Sequence, residues 1–221
     1  MSTKHWRERL NRWTRMAVIR ATGRRDLFWR IWGYNFADEA YQRRIFPQHE
    51  WLRNHLAALN PASVAEVGCG FGRNLGLIRD WLGDDCLVVG FDFSLPMLAR
   101  ARDYVTSEAG CLCAADAIQI PMRAASADVV LSHGLLMHLP DAAAGVAELL
   151  RVARRSVLIV EQWDDAGERA INDYTWVHDY EGITGSVADS SEAVLVDSRV
   201  ILNTEQLLCL RIDRHSSHST S

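Results

Sequence analysis

With 221 residues, 48% of them apolar and 24% charged, the chain can bury one sizeable core, which excludes a disordered or low-complexity protein. No apolar run approaches the ~20 residues that span a bilayer, and the Arg-rich N-terminus is not followed by the apolar stretch of a secretory leader. A cytoplasmic protein without a membrane span is therefore expected.

The net charge of −4 is unevenly spread: residues 1–30 carry nine Lys/Arg against Glu8 and Asp26, leaving the rest of the chain strongly acidic. Such an arm would meet nucleic acid, an acidic lipid surface, an anionic substrate or the acidic body of its own domain. Equally, Trp6, Leu10, Trp13 and Ala17 recur at helical spacing and make it an amphipathic helix with its arginines in water. The five cysteines, at 69, 86, 111, 113 and 209, are odd in number and show no metal-ligand or redox spacing, so reduced thiols and no metal site are expected.

In chain order, residues 3–20 and roughly 25–59 read as helices, with breaks at Gly23 and Gly33, and Asn60-Pro61 marks a turn. A short apolar strand at 63–67 runs into glycines and a helix at 73–82. A second strand at 87–91 is followed by a helix at 95–107, started by Ser94 with Pro96 in its first turn. Strands follow at 111–115, 128–132 and 156–161, with a helix at 141–153 after Pro140. Continuous apolar strands alternating with helices predict a parallel sheet covered on both faces. After Glu161 the rhythm changes: 163–182 reads as an aromatic-rich loop and 184–192 as a polar stretch. The runs 193–202 and 206–212, separated by Asn203-Thr204-Glu205, read as an antiparallel hairpin at the sheet edge, and the tail after Arg214 as disordered. The implied organisation is an N-terminal helical cap at 1–59, an α/β domain at 60–214 and a tail at 215–221.

The chemistry centres on Glu66-Val67-Gly68-Cys69-Gly70-Phe71-Gly72, between the first strand and the first helix of this pattern. Glycines there permit a tight turn and close approach of a ligand, which also meets free N–H groups at the helix start. Asp92 follows the second strand about twenty residues on, where an acid accepts ribose hydroxyls. Asp116 follows the third strand, where it would accept from an adenine amino group. A dinucleotide site wants a third glycine where Arg73 stands, and Glu66 would repel a pyrophosphate but attract an ammonium. A cationic nucleoside therefore fits better than NAD.

These segments resemble class I S-adenosylmethionine-dependent methyltransferases. Glu66–Gly72 is similar to the family's first motif, Phe91-Asp92-Phe93-Ser94 through Met97-Leu98 to its second-strand motif, and Ala115-Asp116-Ala117 to its adenine-reading segment. Asp128 through His138-Leu139 is similar to its fourth-strand motif. The resemblance covers about residues 60–162. A finer likeness, from Leu135–Pro140 and the strand leading to Glu161, is to methylases of sugar and natural-product biosynthesis. It implies an α/β, Rossmann-like, doubly wound and mostly parallel seven-stranded sheet with an antiparallel C-terminal hairpin strand and N-terminal helices.

The cofactor implied is S-adenosyl-L-methionine, with Gly68 and Gly70 against its methionine part and Glu66 organising the amino group. Asp92 would hold the ribose, Phe93 and Met97 flank the adenine, and Asp116 with Ala117 read its edge. His133, directly after the fourth strand, faces the methyl group in this fold and is a candidate catalytic or substrate contact. His138 is a second candidate, although its place before Leu139-Pro140 equally suits a backbone-bonded imidazole. Glu161, Gln162, Trp163, Tyr174, Trp176 and His178 are candidates for the wall of a small-molecule acceptor site, with His178 and Asp179 as a possible pair. The alternatives are a non-catalytic cofactor-binding subunit and a nucleic-acid methylase. Ser132-His133-Gly134 stands where many base-amino methylases carry an Asp/Asn-Pro-Pro-Tyr/Phe motif, so nucleic acid is the weaker choice of partner.

Overall fold

The computed structural model describes Trp29 and residues 44–102, 110–164, 166–172, 174–190, 193–202 and 206–215. The helix expected at 3–20 with its basic arm, the helical stretch at 25–43 apart from Trp29, residues 103–107 of the second helix, the Asn203–Glu205 turn and the tail from 216 lie outside these residues.

Helix α1 (Pro47–Leu59) opens with proline at its first position and ends on Asn60 in the left-handed region, whose N–H bonds the Leu56 carbonyl at 2.9 Å. Strand β1 (Ser63–Val67) leads through the glycine loop to α2 (Arg73–Leu82), and β2 (Leu87–Asp92) leads to α3 (Leu95–Ala101). Strands β3 (Gly110–Ala114) and β4 (Ala127–His133) follow, then a 3-10 turn at Leu136–His138 and α4 (Ala142–Val152). Asp141 caps α4 by accepting the Ala144 N–H at 3.0 Å. Strand β5 (Ala153–Gln162) starts three residues before the apolar run suggests.

The segment after β5 corrects the expectation of a long loop and a polar stretch. It holds a small antiparallel hairpin, β6 (Arg169–Asn172) with β7 (Thr175–Val177), and helix α5 (Tyr180–Ser190). Gly182 and Gly185 hide this helix from propensity, since each costs roughly 1 kcal/mol relative to alanine. Burial of Tyr180, Thr184 and Ala188 and an Asp179 carboxylate accepting the Gly182 N–H at 3.0 Å decide it instead. Strands β8 (Ala193–Leu202) and β9 (Gln206–Arg214) close the chain as the expected hairpin.

The seven-stranded sheet has the order β3-β2-β1-β4-β5-β9-β8. Strands β1 to β5 run parallel, and β9 pairs antiparallel with both β5 and β8. Chain direction across the sheet reverses between β1 and β4, the crevice where doubly wound folds bind ligands at the carboxyl ends of their strands.

Two-residue alternation distributes the strands between two cores. Ala65, Val67, Val130, Val157 and Ile159 pack with α4 and α5. Val64, Val129, Leu131, Leu158 and Val160 pack with α1 and α2 on the other face. Trp51, Leu52, Leu56 and Leu59 of α1 belong to that second cluster, so the boundary expected at 59/60 cuts through a continuous core. Each such Leu, fully buried, contributes about 1.5–3 kcal/mol, and α1 is an integral part of the domain. Among the described residues no helix is long and apolar enough to cross a membrane.

Candidate active site

A cavity of about 780 Å³ opens along the carboxyl ends of the parallel strands. Its walls combine Gly68 and Gly70 after β1, Asp92, Phe93 and Met97 from β2 into α3, Asp116 and Ala117 after β3, and His133 at the end of β4. The far side is made by Trp29, Phe46 and Gln48 ahead of and within α1, by Met137 and His138 of the 3-10 turn, and by Gln162 and Leu207.

The glycine loop needs its glycines for two separate reasons. Gly68, Gly70 and Gly72 all have positive φ, at 75°, 55° and 90°. A Cβ on Gly68 would meet Leu135 at 2.9 Å, whereas a Cβ on Gly70 would meet nothing within 4 Å. Gly70 thus presents bare backbone to open space, the surface a closely approaching ligand needs.

Asp92 fixes that loop. One carboxylate oxygen accepts the Gly70 N–H at 2.9 Å, and the other accepts the Ser94 N–H at 2.7 Å. A carboxylate has about four acceptor sites, so each oxygen keeps capacity for a further donor from the cavity. Burial raises the Asp92 pKa, and the two backbone N–H bonds oppose that rise. Asp116 is exposed at the mouth and accepts the Ile118 N–H at 3.2 Å.

Glu66 lies behind the wall rather than on it. Alternation turns it, with Val64, toward α1 and α2, and it is 1% exposed. Its Oε1 accepts from Asn74 Nδ2 at 2.6 Å, while its Oε2 has no hydrogen-bond partner among the described residues. Burial pushes its pKa up to about 8, against the opposing effects of the Asn74 bond and the Arg73 charge. The same Asn74 nitrogen lies 3.0 Å from His133 Nδ1. The His133 ring is edge-on to His49 of α1, with centroids 5.7 Å apart. His49 is fully buried and accepts the Phe46 N–H on Nδ1 at 2.9 Å. Desolvation holds the His133 pKa well below the ordinary imidazole range, and it lowers that of His49 to about 4.

His138 sits on the cavity wall with Nδ1 2.9 Å from the Tyr174 carbonyl and its ring 4.3 Å from that of Trp29. A carbonyl only accepts, so Nδ1 carries the hydrogen. Burial lowers its pKa to about 4.

Several residues expected on an acceptor wall do other work. Glu161 is fully buried on the opposite face from Glu66. Its Oε1 accepts the Leu135 and Leu136 N–H groups at 3.0 and 2.9 Å and the Ser132 hydroxyl at 3.3 Å, and its Oε2 accepts the Met137 N–H at 3.2 Å. It pins the turn after β4 and does not line the cavity. Trp163 packs against the α4 and α5 core. Trp176 stacks on His178, with centroids 6.5 Å apart. His178 is buried, with Nε2 3.0 Å from the Leu139 carbonyl and Nδ1 3.4 Å from Glu168, so it is not paired with Asp179, which caps α5. Tyr174 lends its carbonyl to His138 and its ring edge to Trp29. Of that group only Gln162 reaches the cavity.

Sequence reasoning missed Gln48, His49 and Asn74. Nothing in the helical pattern of α1 marks Gln48 or His49, because their role depends on α1 docking over β4. Asn74 had a signal: it stands in the first turn of the helix that the glycine loop starts.

Residues 65–160 match the family described as methyltransferase domain. The chain is 31% identical over 108 residues to the demethylmenaquinone methyltransferase of Roseiflexus sp. (strain RS-1), covering 48% of this chain and 45% of that protein. It is 33% identical over 117 residues to the malonyl-[acyl-carrier protein] O-methyltransferase of Salmonella typhimurium (strain LT2), covering 49% and 45%. The chain therefore spans a little under half the length of these curated relatives. Its fold is similar to the crystal structure of magnesium protoporphyrin IX methyltransferase from Synechocystis PCC 6803 with bound S-adenosylmethionine. The TM-score is 0.60 at 17% identity, over 75% of this chain and 77% of that one.

Proposed function

Because residues 65–160 match the methyltransferase-domain family and lie on a doubly wound, mostly parallel sheet, we propose that the chain binds S-adenosylmethionine in the strand-end cavity and methylates a small molecule there. The observation that carries this reading is the open position at Gly70, beside an Asp92 carboxylate with acceptor capacity to spare. When bound, the cofactor supplies a methyl group on a sulfonium centre, with a neutral thioether as leaving group.

The chain's own residues fit that group. Gly68 and Gly70 offer bare backbone to a methionine moiety, and Asp92 offers acceptors to two ribose hydroxyls. Phe93 and Met97 flank the position of an adenine, and Asp116 with Ala117 stands at its edge. Glu66, set back from the wall, acts on the site through its bond to Asn74 rather than by contact with the cofactor. The acceptor is held on the side formed by Trp29, Phe46, Gln48, Met137, Gln162 and Leu207, an apolar surface with two amides. Such a wall suits a ring-bearing or acyl acceptor better than a free sugar. The relatives named for demethylmenaquinone and a malonyl group support a small acceptor. Alignment of the acceptor against the methyl carbon and exclusion of water are what the enclosure supplies to the displacement.

The test is calorimetric titration of the purified chain with S-adenosylmethionine and with its demethylated product. Binding of both is expected, and absence of heat at millimolar ligand would remove the reading. Transfer of a labelled methyl group into a metabolite pool then separates an enzyme from a cofactor-binding subunit.

A further inference from the structure

Asn74 joins two groups through one atom. Its Nδ2 lies 2.6 Å from Glu66 Oε1 and 3.0 Å from His133 Nδ1. An amide nitrogen has two hydrogens and no acceptor site, so it donates to both. Nδ1 of His133 must then be the bare nitrogen of a neutral ring, and the hydrogen resides on Nε2. With Nδ1 turned to Asn74, Nε2 is the polar atom that this cavity-wall side chain has left to offer.

We infer that Glu66 and Asn74 are positioning residues which lock His133 as an N–H donor facing the acceptor, and that the acceptor reacts through an oxygen already ionised: a carboxylate, phenolate or enolate. This rests on the methyltransferase reading above.

The groups facing His133 agree with that polarity. Arg73 at the start of α2 and His49 on α1 both disfavour an imidazolium, as does burial, while Glu66 of β1 reaches the ring only through Asn74. His133 therefore stays neutral and cannot be a base poised near neutral pH. His138 holds the opposite tautomer, but its pKa of about 4 leaves it little proton affinity. Neither imidazole on this wall serves an acceptor that must lose a proton as it reacts, and Asp141, the wall carboxylate outside the cofactor's part, already accepts the Ala144 N–H as the cap of α4. An acceptor that arrives ionised needs no base: its lone pair forms the new bond to the methyl carbon while the carbon–sulfur bond breaks, the electron pair staying on sulfur. The negative charge on oxygen and the positive charge on sulfur cancel, and no proton is released. His133 Nε2–H and the Arg73 charge hold that oxygen in place, which is the interaction an anion seeks.

The experiment reads the tautomer directly. Long-range proton–nitrogen spectra are recorded on the full chain with labelled histidine, without cofactor, and the His133 signals are assigned by their loss in His133→Gln. The expected result is an Nε2–H tautomer unchanged from about pH 6 to 8.5, the range bracketing an ordinary imidazole. An Nδ1–H tautomer, or titration within that range, would overturn the assignment. In Asn74→Asp the new carboxylate accepts, so the tautomer should switch to Nδ1–H; a folded variant with an unchanged ring would also overturn it. With S-adenosylmethionine present, a panel of carboxylate, phenol and amine acceptors should yield product from the first two classes. His133→Ala should lower kcat/KM about 10- to 100-fold, the worth of a hydrogen bond to a charged group. Turnover confined to amines would reject the acceptor class. Failure to bind S-adenosylmethionine would reject the methyltransferase reading, and with it the acceptor class, while the spectra decide the tautomer on their own.

Discussion

Asp92 shows how one side chain serves both the loop and the ligand. It organises the backbone at Gly70 and Ser94 and still faces the cavity with unused lone pairs. Replacing it by alanine removes the acceptors for ribose and frees the loop. Asp92→Ala should weaken S-adenosylmethionine binding by about 1–3 kcal/mol, or roughly 5- to 150-fold in Kd. Calorimetry on the variant, with circular dichroism to establish folding, checks this; unchanged affinity would remove Asp92 from the site. At this scale the sequence was informative, because Gly68, Gly70, Asp92, Phe93, Met97, Asp116, Ala117 and His133 each lie at or just after a strand end and reach the cavity. It marked Asn74 only by its place in the first turn of α2, whereas the importance of Asn74 is a contact between α2 and β4.

Elements meet through two buried acids on opposite faces of the sheet. Glu66 ties β1 to α2, and Glu161 ties β5 to the turn that follows β4. The second arrangement satisfies three backbone N–H groups that would otherwise be stranded, one of which, on Leu136, is fully buried. Glu161→Gln replaces one acceptor oxygen by a donor that faces backbone N–H. It should cost about 1–3 kcal/mol of stability, read as a lower urea midpoint, because a buried donor loses its partner. A midpoint equal to that of the parent chain would mean the turn is held elsewhere. The 174–178 segment serves the same purpose at element level through one side chain and one carbonyl: His178 fastens to Leu139, and the Tyr174 backbone to His138. Composition marked that segment as dense in functional groups but carried no information about which way they turn.

For the whole molecule, the shifted groups set a pH of greatest stability. His49 and His138, lowered to about 4, and His133, lowered further, hold fewer protons in the folded than in the unfolded chain below the ordinary value of 6.5. Their contribution to stability rises with pH up to that point. Glu66 and Glu161, raised to about 8 and about 7 from an ordinary 4.5, hold more protons when folded, so their contribution falls as pH rises from 4.5 through those values. Three histidines outweigh two acids below about pH 6.5, and the acids act unopposed above it. Thermal unfolding followed from pH 5 to 9 should therefore show a maximum Tm near pH 6.5. In Glu66→Gln the decline on the alkaline side should be shallower, and an identical decline would assign the loss to other groups.

What the sequence determined by itself was the order of strands and helices, the glycine turn and the acids at successive strand ends. These are written in local terms: alternation, punctuation and spacing along a chain that must bury a parallel sheet. The tertiary structure decided which of the nominated groups look into the cavity and which are spent inside the protein. It also decided that α1 is part of the core, that α5 is a helix, and that Asn74 meets both Glu66 and His133. Each of those depends on residues distant in the chain meeting at one place, where a buried polar group takes whatever partner the packing brings.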